Sequence, residues 1–177
     1  HAMRAGGGLA PEKTVIVAGH GAEAVSQAAL DYDPDAQTVL QTQQLGTAHA
    51  VGCAKDALAG FKGDAVVLYG DTPFISVETL EAMAAARALH DIVVLGFEAA
   101  DPGRYGRLIT DGETLDRIVE FKDTNDEERA VTLCNSGVIM ARSETLFDLI
   151  DSVGNANAAG EYYLTDIIAI GRAKGLS

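Results

Sequence analysis

The sequence has no tryptophan, two cysteines, four prolines and only 6% aromatic residues, and its acidic side chains outnumber the basic ones 26 to 13. Each shortage excludes something. Cys53 and Cys134 are too few for a disulfide framework or a four-ligand zinc site in 177 residues, and both read as reduced core residues. A formal charge of −13 leaves no basic footprint for nucleic acid and argues against binding an anionic membrane surface. It does not exclude anionic small molecules, because a few cationic side chains or a divalent metal neutralise charge locally. No apolar run approaches the ~18 residues of a membrane span. The opening "HAMRAGGGLAPEK" lacks the apolar core of a signal peptide, so a cytoplasmic protein is expected. His1, His20, His49 and His90 have no metal-ligand spacing, and neither a Gly-x-Ser-x-Gly elbow nor a Walker A loop occurs. What is abundant is apolar: 47% of residues are hydrophobic and 22% charged, the balance of a chain that buries a core.

The apolar residues fall into alternating short runs. "TVIVA" (Thr14–Ala18), "TVLQTQ" (Thr38–Gln43), "DAVVLYG" (Asp64–Gly70) and "DIVVLGFEA" (Asp91–Ala99) read as strands. Between them lie helical stretches: "GAEAVSQAALD", "GTAHAVGCAKDALAGF" with Thr47 as a candidate cap, and "SVETLEAMAAARALH" with Ser76 as its cap. This alternation predicts an α/β fold, a mostly parallel sheet with helices on both faces. After residue 100 the texture becomes mixed. A hairpin is expected around Asp111-Gly112, then an apolar strand "VTLCNSGVIMA" and a helix opened by Ser143. A polar loop (Gly154–Tyr163) leads into a last helix, "LTDIIAIGRA". "HAMRAG" reads as the tail of a helix, and the 177 residues are expected to form one domain truncated at both ends.

Three features bear on chemistry. Gly19, Gly21 and Ala24 have the spacing of a dinucleotide fingerprint, but Gln41 and Gln43 stand where that fingerprint wants an acid; a tight turn is the alternative. "DYDPDAQTVLQT" (Asp31–Thr42) starts like a calcium loop yet has Ala36 and Thr42 where glycine and glutamate belong, so it reads as a solvated turn. Asp71, in "VVLYGDTPFI", sits at the carboxyl end of an apolar strand, where α/β sheets bind ligands. By position it is either a ligand for a divalent cation or a turn-capping aspartate.

Six stretches stand in a familiar order: "LQTQQLGTAHA", "LYGDTPFI", "YGRLI", "IVEFKDTNDEE", "CNSGVIMA" and "NAAGEYYLTDII". Over nearly the whole chain they resemble the uridyltransferase domain of the bifunctional N-acetylglucosamine-1-phosphate uridyltransferase / glucosamine-1-phosphate acetyltransferase family. The resemblance implies a Rossmann-like nucleotidyltransferase with a sugar-binding second half. It implies formation of UDP-N-acetylglucosamine and pyrophosphate from UTP and N-acetylglucosamine-1-phosphate, with Mg²⁺, for cell-wall and lipopolysaccharide precursors. By this resemblance Gln41, Gln44, Gly46 and Thr47 contact uracil, Tyr69 and Gly70 line the nucleoside site, and Asp71 holds Mg²⁺. Gly106, Glu120, Asn135, Tyr163 and Thr165 match the positions that bind the N-acetylglucosamine moiety. The set is chemically apt: amides offer donor and acceptor to a pyrimidine edge, and carboxylate, amide and hydroxyl groups suit a sugar.

The family's Gly-rich phosphate loop, its second metal ligand and its β-helical acetyltransferase half have no counterpart in the 177 residues. The chain alone is therefore expected to turn over little. The family's trimer, organised by the part without counterpart, is expected only of a full-length member. The rival readings are another sugar-1-phosphate nucleotidyltransferase, a non-catalytic sugar-nucleotide-binding module, and a NAD-dependent dehydrogenase.

Overall fold

The computed structural model describes residues 1–72 and 74–177. Pro73, read as ending the turn after Asp71, lies outside the described residues. In chain order the elements are α1 (Ala2–Gly7), β1 (Val15–Ala18), α2 (Ala22–Tyr32), β2 (Gln37–Leu40), α3 (Thr47–Gly52), β3 (Asp64–Val67), α4 (Val77–Arg87) and β4 (Ile92–Glu98). The second half adds β5 (Arg107–Asp111), β6 (Thr114–Val119), a 3-10 turn (Phe121–Asp123), α5 (Asp126–Arg129), β7 (Leu133–Arg142), α6 (Ser143–Ile150) and α7 (Asp166–Ala173).

β7 is the spine. β4 runs antiparallel along one edge of it, Ile92 opposite Ala141 and Glu98 opposite Leu133. The other edge is shared: β3 takes Ile139–Arg142, and β5 meets β7 where Arg107 lies opposite Cys134. β6 completes the sheet as the hairpin partner of β5, turning at Gly112 with φ 60°. β1 and β2 pair in parallel and form a separate two-stranded sheet, Val15 opposite Gln37.

The helices do cover both faces of the large sheet. Strand side chains alternate across a sheet, and the two cores follow that alternation. Val66, Val93, Val138 and Met140 pack against Leu80 and Met83 of α4 and Ala5 of α1. Ala65, Val67, Val94, Ile139 and Ala141 pack on the opposite face against Leu146 and Leu149 of α6, Ile167 and Ile168 of α7, and Ala48 of α3. Each fully buried aliphatic side chain contributes about 1.5–3 kcal/mol.

The expectation of a mostly parallel sheet is corrected. Every pairing in the five-stranded sheet is antiparallel, and only β1 with β2 is parallel. β3 and β4 do point the same way, but β7 inserts between them. A strand buried on both faces is apolar throughout whichever way its neighbours run, so "TLCNSGVIMA" carries no mark of its direction. Three smaller expectations also change. The third helix ends at Gly52 and continues as turns. Thr47 does not cap it; the N-cap is Gly46. Ser143 opens α6 as expected; it is buried, and its N–H donates to Gly63 O at 3.0 Å. Ser76 caps α4 as expected, accepting from Thr79 N at 3.2 Å. Both cysteines are free, with Cys134 buried and Cys53 only half-buried, against the expectation that both are core.

Candidate functional site

The carboxyl ends of β1, β2 and β3 and the start of β7 converge on one region. At its first end, the backbone N–H of Gln41 donates to Ala18 O at 2.9 Å, which extends the β1–β2 pairing by one residue and fixes where Gln41 leaves the sheet. The chain then folds back through Gly46, whose φ of 120° belongs to glycine. A Cβ at Gly46 would lie 2.5 Å from Tyr162 O, so the loop is pressed against the segment before α7. Backbone bonds stitch them together: Tyr162 N donates to Leu45 O at 2.8 Å and Ala48 N to Tyr162 O at 2.9 Å. The Thr47 hydroxyl accepts from Leu164 N at 2.8 Å. The Gln41 Nε2 donates to Gly46 O at 3.2 Å and lies 3.0 Å from His49 Nδ1. Gly19 faces both amides: a Cβ there would sit 3.2 Å from Gln44 Nε2 and 3.6 Å from Gln41 Oε1.

The second end is acidic. Glu120, just after β6, accepts from Thr165 Oγ1 at 3.0 Å. A Cβ at Gly106 would lie 3.5 Å from Glu120 Oε2 and 3.6 Å from Asn135 Cβ, so these groups close around a glycine. Asn135 N donates to Gly106 O at 2.9 Å, and Asn135 Oδ1 accepts from Gly137 N at 3.0 Å. Burial raises the Glu120 pKa above the usual carboxylate range; the Thr165 hydrogen bond opposes this, while Asp166, Asp123 and Glu161 reinforce it. Burial, then Asp123, raises Asp166 in the same way. The Tyr163 pKa is raised, first by burial and then by the charge of Asp123. Asp123 is itself held by accepting from Ala158 N at 2.8 Å.

Tyr69 joins the two ends. Burial pushes its hydroxyl up to about 12; a hydrogen bond with Thr47 works against that, and the charges of Glu120 and Asp71 add to it. Its ring lies on Gly137, which has φ 86° and whose Cβ would be 2.6 Å from Tyr69 Cε2. Asp71 is exposed on the following turn, closed by Thr72 N donating to Tyr69 O at 3.2 Å. Gly70 has open space beside it. Tyr69, Gly70 and Asp71 also line a cleft of about 500 Å³ between β1 and β3, whose walls include Val15, Val17 and Val66. Among the described residues no group of three or more His, Cys, Asp or Glu side chains is placed to hold a metal. Asp71 thus offers a single exposed carboxylate, a donor set that fits Mg²⁺ only where phosphate oxygens and water complete the shell.

Of the residues singled out from sequence, the structure brings Gly106, Glu120, Asn135 and Thr165 into one cluster and Gln41, Gly46 and Thr47 into another. Gln44 stands exposed toward Gly19, and Tyr163 stands beside Asp123. Sequence reasoning missed His49, Gly137 and Asp123. Gly137 carried a signal, a glycine inside an apolar strand run; His49 and Asp123 meet their partners only through loop folding. The glycine-rich β1–α2 junction is a tight turn, with Gly21 at φ 67° as the N-cap of α2. In the acidic stretch after α2, Asp35 N donates to Asp33 Oδ1, as a turn requires.

A three-layer α/β fold with its polar cluster at the strand ends defines a nucleotidyltransferase-type fold. The solved structure of a UDP-glucose pyrophosphorylase complexed with UDP-glucose superposes with a TM-score of 0.73, covering 98% of this chain and 74% of that one at 17% identity. HddC from Yersinia pseudotuberculosis, complexed with GMP-PN, superposes with a TM-score of 0.65 over 93% of this chain and 67% of that one at 16% identity.

The family model described as "Nucleotidyl transferase" matches residues 11–175, and the chain belongs to that family. It is similar to the bifunctional protein GlmU of Cereibacter sphaeroides (66% identity), of Ruegeria pomeroyi (64%) and of Jannaschia sp. (55%), in each case over the whole of this chain. The chain spans 39% of the length of these relatives.

Proposed function

We propose that the protein carrying this chain transfers a uridylyl group from UTP to N-acetylglucosamine-1-phosphate, giving UDP-N-acetylglucosamine and pyrophosphate. A phosphate oxygen of the sugar phosphate forms a bond to the α-phosphorus of UTP, and the bond from that phosphorus to the bridging oxygen of the β-phosphate breaks. Such a displacement needs positioning and charge neutralisation more than a nucleophile triad. Gln41, Gln44, Gly46 and Thr47 take the uracil, and Tyr69 and Gly70 line the nucleoside. Gly106, Glu120, Asn135, Tyr163 and Thr165 take the N-acetylglucosamine. Asp71 would hold a divalent cation, Mg²⁺, which when bound neutralises phosphate charge.

The observation that carries this reading is the closed cluster of Glu120, Thr165, Asn135 and Gly106, a set of strong acceptors and an amide suited to a sugar ring, joined through Tyr69 to an uncharged amide pocket. The similarity to GlmU proteins over the full chain points the same way. The test is pyrophosphate release with UTP, Mg²⁺ and a panel of sugar-1-phosphates. The expected result is preference for N-acetylglucosamine-1-phosphate. Equal or better use of glucose-1-phosphate would favour the second reading, which the UDP-glucose pyrophosphorylase likeness of the fold motivates.

Because Asp71 belongs to no group of three or more potential metal ligands among the described residues, the 177 residues by themselves are proposed to turn over far more slowly than a full-length relative. Binding of UDP-N-acetylglucosamine without Mg²⁺-dependent turnover by the longer protein would instead mark a binding module. No helix among the described residues is long and apolar enough to cross a membrane, and the proposed location, where the nucleotide substrates are, is the cytoplasm.

A further inference from the structure

We infer that His49 is a positioning residue that fixes which atoms of the Gln41 amide the pocket presents, and so sets preference for uracil over cytosine; the inference rests on the uridylyl reading above. The Gln41 Nε2 carries two hydrogens. One donates to Gly46 O at 3.2 Å. A carbonyl can only accept, so this contact favours the orientation with the nitrogen toward Gly46. The second faces His49 Nδ1 at 3.0 Å. Nδ1 accepts it when the imidazole carries its proton on Nε2. With both hydrogens used inside the loop, the amide has only Oε1 left to offer, on the side that faces Gly19.

An acceptor-only amide distinguishes the two pyrimidines. Uracil carries a hydrogen on N3 and can donate to Oε1. Cytosine has a lone pair at N3, and two acceptors brought together repel. Without the His49 acceptor a flip of the amide gives up one hydrogen bond instead of two, and the flipped amide presents Nε2 outward, so that cytosine N3 gains a donor. Recognition by a committed hydrogen-bond pattern rejects the wrong partner because a buried polar group is left unpaired. The device does not read the pyrimidine 5-position, so thymine and uracil remain alike to it.

The experiment is calorimetric titration of UMP and of CMP into the wild-type protein, His49→Phe and His49→Asn, with thermal melts to establish folding. Phenylalanine keeps a ring and removes the acceptor. Asparagine restores an acceptor oxygen at the position of Nδ1. The expected result is a wild-type preference for UMP that falls about tenfold in His49→Phe and returns in His49→Asn. An unchanged UMP-to-CMP ratio in folded His49→Phe, or an equal loss in His49→Asn, overturns the inference while leaving the uridylyl reading standing. A wild type that binds UMP and CMP alike overturns the uridylyl reading and this inference with it. If the variants do not fold, nitrogen-15 NMR of the wild-type imidazole decides: the proton on Nε2 is expected, and a proton on Nδ1 overturns the inference.

Discussion

The two ends of the candidate site are built in opposite ways. The end built from Gln41, Gly46, Thr47 and His49 carries no carboxylate and comes from one nine-residue stretch: bonds inside it, to Gly46 O and His49, aim the Gln41 amide, while Thr47 is tied to Leu164 N in the segment before α7. The end built from Gly106, Glu120, Asn135 and Thr165 is gathered from distant segments and holds a half-buried carboxylate with further acids, Asp123 and Asp166, around it. A neutral end selects by hydrogen-bond pattern and asks little of folding stability. An acidic end offers stronger acceptors to hydroxyl groups, and burying its charge works against the fold.

That contrast can be broken or sharpened by substitution. The largest effect is expected between the two ends, at Asp71. Asp71→Asn should lower Mg²⁺-dependent pyrophosphate release by about 100-fold or more while leaving the melting temperature unchanged, because the residue is exposed. An active variant would return Asp71 to a turn-capping role.

At the neutral end, Gly46→Ala forces a side chain into a left-handed backbone 2.5 Å from Tyr162 O. Strain of about 1–3 kcal/mol should appear as a lower melting temperature together with weakened UMP binding. At the acidic end, Thr165→Val removes the one side-chain hydroxyl that donates to Glu120. Unfolding titrations should show a loss of about 1–3 kcal/mol, with little change in UMP affinity.

The smallest and most diagnostic effect concerns pH. The Glu120 pKa is raised in the fold above its ordinary 4.5, so the native state holds that proton more tightly than the unfolded chain does. Its contribution to stability is therefore most favourable below 4.5 and declines as pH rises through the raised value. Glu120→Gln should flatten this decline in melts recorded between about pH 4 and 8, gaining relative to wild type toward neutral pH. A variant whose pH profile matches that of wild type would show that Glu120 is not the group that titrates.

The contrast also explains what could be seen in advance. The neutral end was read through resemblance on one contiguous stretch: "LQTQQLGTAHA" carries the amides, the glycine and the hydroxyl together. The acidic end was legible only through resemblance, since Gly106, Glu120, Asn135 and Thr165 lie on four separate segments and nothing in their local patterns brings them together. Strand positions were legible from apolar runs, and helix α4 from Ser76. Sheet direction was not, because β7 is apolar on both faces whether its neighbours run with it or against it. The bond of Ser143 N–H to Gly63 and the turning of Gln41 toward His49 were invisible for the same reason, as each depends on a partner many residues away or on a loop folding back.

The division of labour itself is most directly tested by titrating UDP-N-acetylglucosamine and UMP separately into wild type and Glu120→Ala. If the acidic end reads the sugar and the neutral end reads the base, affinity for UDP-N-acetylglucosamine should fall about tenfold or more while affinity for UMP stays within about twofold. A parallel loss for both ligands, or no loss for either, would contradict it.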